Sequence, residues 1–146
     1  MKFVIESYLD PEERFWDYHT EDIKKWIIPD KLPYSSEIFD TSTLGGYSQY
    51  NNYLHDKKYI LPVTPKEYFE QCAKGFNSIF EAQVRQVEGD KKVLDHLMDV
   101  ILIAKKKFPM PYISKSNGAQ QQGRHRVYIF AKLYCWNKSF PCLVLP

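Results

Sequence analysis

The spacing of apolar residues predicts a first amphipathic helix that begins at Thr64. Thr64 can cap this helix, Pro65 suits its first position, and Glu67 completes a capping box. Apolar side chains then recur at helical spacing, namely Tyr68, Phe69, Cys72 and Phe76. A cysteine on such a face usually acts as a small hydrophobic residue, and we interpret Cys72 in this way.

A second helix is predicted from about Asp90 to Lys107. Its apolar residues form one stripe, which consists of Val93, Leu94, Leu97, Ile101 and Ala104. Three lysines, Lys105, Lys106 and Lys107, close the segment and would complement the negative end of the helix dipole. We therefore favour a structural explanation of this charge run over contact with a nucleic acid.

The pattern after Pro109 predicts a compact α/β unit. Met110–Ser114 is typical of a strand, Ser116-Asn117-Gly118 predicts a type I′ turn, and Ala119–Gln122 would be the return strand. Gly123 then permits a sharp turn into a helix, and Phe140–Leu145 forms a final strand. The buried stripe of that helix is predicted to be Val127, Phe130, Ala131 and Tyr134.

The residues before Thr64 carry weaker signals. Phe3–Ile5 predicts a short strand, a helix start follows at Pro11, and residues 21–28 fit one or two helical turns. The stretch from Thr41 to Lys58 is polar, rich in tyrosine and without a period, which predicts a long loop. Its tyrosines either pack this loop down or line a site; they are Tyr47, Tyr50 and Tyr53.

These elements together predict an α/β (α+β) fold, with a small mixed sheet, several helices and a helical N-terminal extension. A chain of 146 residues is expected to form one domain. Within it, residues 1–60 would form the extension and the aromatic loop, and residues 62–146 the core.

The composition indicates an ordinary globular protein, with 44% hydrophobic and 26% charged residues. The longest apolar run, Val100–Ala104, is far shorter than the ~20 residues that span a bilayer, so no membrane segment is expected. The N-terminus turns acidic before an apolar stretch develops, so we expect no export and a cytoplasmic location. The three cysteines are widely spaced and match no zinc motif, so we interpret them as free thiols and predict no metal site.

The charge is distributed unevenly along the chain. Residues 1–73 carry eight Lys/Arg and thirteen Asp/Glu, whereas residues 74–146 carry twelve and five. No acidic residue follows Asp99, although eight basic residues do. The last fifty residues are therefore expected to attract an anion, either a ligand or the acidic half of the chain itself.

The segment Gln122–Arg126 is the best candidate for that anion site. A glycine at a strand-to-helix junction lets a ligand approach the main chain, and the free N–H groups of the first helical turn favour an anion. Cations in the first turn oppose the helix dipole, so Arg124, His125 and Arg126 make sense there if a negative group lies among them. Arginine offers forked donors to phosphate oxygens, and histidine offers one more.

The run Gln121–Arg126, the helix after it and the strand Pro141–Val144 resemble the core motif of the ParB/sulfiredoxin superfamily. The likeness is closer to ParB-like domains of phage and bacterial proteins that carry a GRHR signature. In those domains a helix pair, a Met-Pro strand and the GRHR turn follow in the order found here from Thr64 onward. The resemblance covers about residues 62–146, and the phage and bacterial origin of those domains implies a bacterial or phage-infected host cell.

This resemblance implies a nucleotide-binding fold whose glycine turn holds the phosphates of CTP, ATP or ADP, with Mg²⁺ as the accompanying cation. Carried over residue by residue, it makes Gly123, His125 and Arg126 phosphate ligands and Arg124 a fourth. Gln122, next to the glycine, completes the predicted phosphate-binding set. Many relatives have an acidic residue at that position, so binding without turnover is also an expectation.

Two further differences from the motifs of this superfamily exclude particular activities from the expectation. Sulfiredoxins carry a catalytic cysteine where this chain has Arg124, so reduction of sulfinic acids is not expected. ParB proteins that clamp DNA have an arginine where this chain has Tyr128, and a helix-turn-helix domain after the module, whereas this sequence stops at Pro146. We therefore do not expect DNA clamping of the ParB kind.

Phosphoryl transfer would also need a carboxylate as base or as a Mg²⁺ ligand. None follows Asp99, so it is expected in the N-terminal half, with Glu6 and Asp10 as candidate catalytic residues. The predicted function is the binding of a nucleoside di- or triphosphate at Gly123–Arg126, with or without hydrolysis or phosphate transfer. The alternative is a non-enzymatic, phage-type module that binds DNA, RNA or a protein through its basic C-terminal half.

Overall fold

The computed structural model describes residues 38–45 and 48–146. The predicted strand Phe3–Ile5, the helix start at Pro11 and the helical turns over residues 21–28 lie outside the described residues. So do Tyr47 and both candidate catalytic carboxylates, Glu6 and Asp10.

The first α-helix of the described part, α1 (Pro65–Gly75), begins at the predicted capping box. The Thr64 hydroxyl accepts a hydrogen bond from the amide of Glu67 at 3.1 Å, and the Glu67 carboxylate accepts one from the amide of Thr64 at 3.0 Å. Its buried residues include Tyr68, Phe69 and Cys72. The predicted start and apolar face are thus confirmed, whereas Phe76 lies past the helix end and is 44% exposed.

A second helix, α2 (Phe80–Glu88), was not predicted from the sequence. It buries Val84 and Val87, and Phe80 packs against the same core. The spacing of these three residues is helical, but the segment lacks a start signal, since Ile79 at the cap position makes no side-chain capping bond. Packing against the core therefore stabilises a helix whose local signals are weak.

The third helix, α3 (Lys91–Leu102), is shorter than the predicted Asp90–Lys107. Its buried face is Leu94, Met98 and Ile101, whereas Val93 is 45% exposed. After the helix the chain turns back, with Lys105 at φ 53° and the Lys106 amide bonded to the carbonyl of Val100. The lysine run therefore lies beyond the helix, and the prediction that it forms the last helical turn is wrong.

In the part of the chain that the structure describes, six strands form two sheets. The larger sheet has the order β2-β6-β4-β5, where β6 (Phe140–Leu145) is antiparallel to β2 (Ile60–Val63) and parallel to β4 (Tyr112–Ser114). The short β5 (Gln121–Gln122) is antiparallel to β4. In the smaller sheet β1 (Phe39–Leu44) runs parallel to β3 (Phe108–Met110). The fourth helix, α4 (Arg124–Leu133), follows β5.

The loop predicted over residues 41–58 is only partly correct. Residues 41–44 belong to β1, which pairs with β3 because Ile38 and Phe39 are buried in the core. Ser48–His55 and Lys57–Tyr59 form 3-10 helices. Tyr50 and Tyr53 pack against one face of the larger sheet, which supports the interpretation that these tyrosines hold the segment down.

The predicted hairpin between β4 and β5 is present, but its turn is not of type I′. Neither Asn117 nor Gly118 has a positive φ. Six residues, 115–120, connect the strands, and the Asn117 side chain accepts a hydrogen bond from the amide of Ala119 at 3.0 Å. Gly118 lies against the main chain of Gln71 on α1, so contact with this helix determines the shape of the turn.

The molecule is a mixed α/β fold, as predicted from the sequence. Strand β6 separates two clusters of buried side chains. Cys142 packs towards the helices, whereas Leu143 and Leu145 pack towards the two 3-10 helices of residues 48–59, which we call the aromatic 3-10 segment. In α4 three residues of the predicted stripe are buried, namely Val127, Phe130 and Ala131, whereas Tyr134 follows the end of the helix and is partly buried. Within the described ranges, no helix is long and apolar enough to cross a membrane.

We expect Thr64→Ala to lower the free energy of unfolding by about 1 kcal/mol, because α1 loses the acceptor for one unsatisfied N–H group at its start. Urea denaturation measures this change. Thr64→Ser keeps the hydroxyl and is the matched control. Equal stability of the two variants would contradict the importance of the capping box.

Candidate functional site

The predicted strand-to-helix junction is present at Gly123. This residue has φ 123°, a conformation that residues with a side chain rarely adopt. A Cβ atom there would also lie 2.8 Å from the Cβ of Pro111. Helix α4 starts at the next residue, and Gly123 has no side chain with which to cap it, so the first N–H groups of the helix need acceptors from elsewhere.

The guanidinium group of Arg126 lies beside this junction, in the first turn of α4. It occupies the space in which Gly45, just after β1, would carry a side chain. One Nη2–H group donates to the carbonyl of Gln122 at 3.3 Å, and the Nε atom is buried without a hydrogen-bond partner among the described residues. Burial lowers the pKa of Arg126, and the neighbouring Tyr68, Cys142 and Tyr112 act in the opposite direction. No described carboxylate forms an ion pair with it.

Arg124 points away from Arg126 and towards helix α2. Its Nη1 atom donates to the side-chain oxygens of Gln83 at 2.8 Å and Gln86 at 2.7 Å. Its guanidinium carbon lies 5.5 Å from the ring centre of Phe76, within the range of a cation–π contact. These contacts tie the start of α4 to α2.

His125 contacts the segment between α2 and α3. Its Nε2 atom lies 2.7 Å from a carboxylate oxygen of Asp90, the residue that precedes α3. The His125 side chain is 27% exposed and that of Asp90 is 54% exposed. The pair is therefore within reach of water.

The structure thus separates the predicted phosphate-binding residues. Gly123, the carbonyl of Gln122 and the guanidinium of Arg126 lie together, whereas the side chains of Arg124 and His125 are bonded to other elements. The sequence analysis did not identify Gly45, Gln83 or Asp90 as neighbours of the motif. No local signal marks them, because each contact joins distant parts of the chain.

Polar groups of two tyrosines and two glutamines lie on the strand and turn that precede this junction. The Tyr68 hydroxyl donates to the carbonyl of Tyr112 at 3.1 Å and to the side-chain oxygen of Gln121 at 3.3 Å. The ring centre of Tyr50 lies 4.9 Å from that of Tyr112, and the Tyr50 hydroxyl accepts from Gln120 at 3.3 Å. The aromatic 3-10 segment therefore covers the sheet next to the first turn of α4.

A buried carboxylate that the sequence analysis did not identify joins α2 to α4. Glu88 is fully buried, and one of its carboxylate oxygens accepts a hydrogen bond from the Tyr128 hydroxyl at 2.9 Å. Burial raises the pKa of Glu88 to about 8, although the bond from Tyr128 and the charges of Lys132 and Arg85 oppose this shift. Lys132 lies over the Tyr128 ring, 5.0 Å from its centre.

The three cysteines differ in their exposure to solvent. Cys72 and Cys142 are fully buried, and burial raises the pKa of the Cys72 thiol to about 12 and that of Cys142 further. Cys135 is exposed. Among the residues that the structure describes, no three His, Cys, Asp or Glu side chains are grouped so that they could hold a metal ion.

Comparisons with protein-family models, with curated proteins and with solved structures found no match to this chain.

We expect the stability to fall as the pH rises from about 4.5 to about 8, by up to about 1.4 kcal/mol per pH unit from Glu88 alone. In this range the folded protein keeps the Glu88 proton, whereas the unfolded chain, with a usual pKa of 4.5, releases it. Glu88→Gln keeps an acceptor for Tyr128 and should flatten the dependence. Urea denaturation at pH 5, 6.5 and 8 measures it, with Glu81→Gln on the same helix as the matched control for a removed carboxylate. An equal slope in Glu88→Gln and the wild type would contradict this assignment.

Proposed function

We propose that this protein binds a nucleoside di- or triphosphate, and that Arg126 and the first N–H groups of α4 hold a phosphate group of this ligand. The observation that carries the proposal is the partly buried guanidinium of Arg126. It lies at the positive end of a helix dipole and has no carboxylate partner among the described residues.

A positive charge at this position raises the free energy of the folded protein. Burial removes part of its hydration, and the helix dipole repels it. A phosphate between the guanidinium and the helix N-terminus would reverse both effects, because it pairs with the cation and accepts from the main-chain N–H groups. Gly123 supports this geometry, since it leaves the main chain open to close approach.

The resemblance to the ParB/sulfiredoxin superfamily supports the same ligand class and suggests ATP, ADP or CTP, accompanied by Mg²⁺. The described residues offer no cluster of carboxylates for the metal, so we assign it no protein ligands. The separate partners of Arg124 and His125 make Arg126 the principal side-chain ligand in the proposed site.

Tyr50 is our candidate for contact with the nucleotide base. It is partly exposed, and its ring packs beside Tyr112, which is itself near Arg126. An aromatic ring next to a phosphate site can stack on a base irrespective of its hydrogen-bonding pattern. This assignment follows from the proximity of the tyrosine pair to Arg126.

Calorimetric titration with ATP, ADP, CTP and GTP, with and without Mg²⁺, tests the proposal. We expect one of these nucleotides to bind, and Arg126→Ala to weaken its binding by at least ~30-fold, because a buried charge-assisted contact is worth about 2 kcal/mol or more. Arg126→Lys keeps the charge but loses the forked donors, and should weaken it less. Lys138→Ala is the matched control, since it removes an exposed cation beyond the other end of α4.

The same titrations with a DNA and an RNA oligomer at two salt concentrations distinguish nucleotide binding from the alternative function, which is binding to a nucleic acid. Binding to a phosphate backbone weakens steeply with salt, and it should depend on Lys138 about as much as on Arg126. Oligomer binding of this kind without nucleotide binding would refute the proposed pocket. The absence of any nucleotide binding would also refute it.

A further inference from the structure

Gly45 has no side chain at a point where the guanidinium group of Arg126 fills the space. The three atoms that an added Cβ atom would meet first all belong to this group, namely Nη1, Nη2 and Cζ, and Cζ would lie 2.6 Å away. Carbon atoms that are not bonded to each other pack best at about 3.5–4.0 Å. An alanine at position 45 and the guanidinium group in its present place therefore exclude each other.

The main-chain conformation of Gly45 does not require a glycine. Among the described glycines only Gly123 has a positive φ, so Gly45 lies outside the left-handed region that favours this residue. The Gly45 amide donates to the carbonyl of Met110 at 3.4 Å, at the end of the strand pair β1 and β3. The space beside Arg126 is therefore the reason that the structure gives for a glycine at this position.

Gly123 restricts the same guanidinium group from a second segment of the chain. A Cβ atom at Gly123 would lie 2.7 Å from Nη2 of Arg126, and the carbonyl of Gln122 accepts from this nitrogen at 3.3 Å. The Nη1 atom has no hydrogen-bond partner among the described residues. Contact with the main chain at Gly45 is therefore what holds the Nη1 end of the group in place.

We propose that Gly45 is a positioning residue of the phosphate site. This inference rests on the proposed nucleotide binding and adds a residue from the N-terminal half of the chain to its site. Gly45 leaves room for the guanidinium group beside the first turn of α4, where a phosphate can pair with it and accept from the main-chain N–H groups. A methyl group at position 45 would displace the guanidinium group, and the phosphate would lose its charged donor.

Solvent exchange of the hydrogen on Nε of Arg126, measured by NMR, tests the position of this side chain without a ligand. Nε is buried, so its hydrogen should exchange slowly in the wild type. We expect Gly45→Ala to raise the exchange rate by about 10-fold or more, because the displaced side chain meets water. Arg126→Lys identifies the signal by removing it. Gly89→Ala is the matched control, since a Cβ atom at Gly89 would make only ordinary contacts, at 3.6 Å.

Calorimetric titration with ATP, ADP, CTP and GTP in the presence of Mg²⁺ tests the role of Gly45 in binding. We expect Gly45→Ala to weaken nucleotide binding by about 30-fold, as Arg126→Ala does. In a chain that already carries Arg126→Ala, the same change should weaken binding by less than about 3-fold, because the group that it displaces is absent. Gly89→Ala should leave the nucleotide Kd unchanged.

The exchange and binding measurements separate this inference from the proposed function. Nucleotide binding that Gly45→Ala leaves intact would overturn the role of Gly45, and the binding function would stand. An unchanged exchange rate in Gly45→Ala, or additive losses of binding in the double variant, would also overturn it. The absence of nucleotide binding by the wild type would refute both.

Circular dichroism checks the folding of each variant. If Gly45→Ala alone does not fold, the double variant Gly45→Ala/Arg126→Ala decides. Recovery of the fold would support the exclusion between the two side chains, because the obstructing guanidinium group is gone. A double variant that also fails to fold would overturn the inference.

Discussion

The structure depends on strand β6 being buried on both of its faces. Its side chains alternate between the helical core and the cluster beneath the aromatic 3-10 segment, and its main chain bonds to β2 on one side and β4 on the other. A strand in this position pairs nearly all of its polar main-chain groups, so its apolar run can be buried at little cost. The amide of Leu143 also donates to the carbonyl of Pro111, against which Gly123 packs. The central strand and the proposed anion site are thus linked through one residue.

Helix α2 and Asp90, the residue before α3, determine where the basic side chains of the motif point. Gln83 and Gln86 bond to Arg124, Glu88 bonds to Tyr128, and Asp90, which directly precedes α3, bonds to His125. Each basic side chain therefore points to a different place, although the three are consecutive in the chain. Arg126 alone remains beside Gly123, covered by Gly45. Arg126 is therefore the proposed phosphate ligand, whereas Arg124 fastens α4 to α2 and His125 fastens it to the residue before α3.

Several elements were predictable because their signals are local. The capping box at Thr64, the apolar stripe of α4 and the glycine at the strand-to-helix junction depend on residues within one or two turns of each other. Other elements were not predictable in this way. Helix α2 has no capping side chain, β1 is polar along much of its length, and the turn after Ser114 follows its contact with α1 rather than the preference of Asn-Gly. In each of these elements the packing partner is remote in sequence, and contact with it outweighs the local conformational preference.

The amino-acid sequence by itself determined the α/β class, the position of the glycine turn and the excess of cations around it, since these follow from short-range pattern and composition. Only the tertiary structure decided which cation meets the open helix end and which carboxylate meets the histidine. The reason is the distance along the chain: Asp90 and His125 are 35 positions apart, and Gln83 and Arg124 are 41 apart. Such pairs are brought together by the packing of α2, α3 and α4 around a common core, which depends on all of their buried side chains at once.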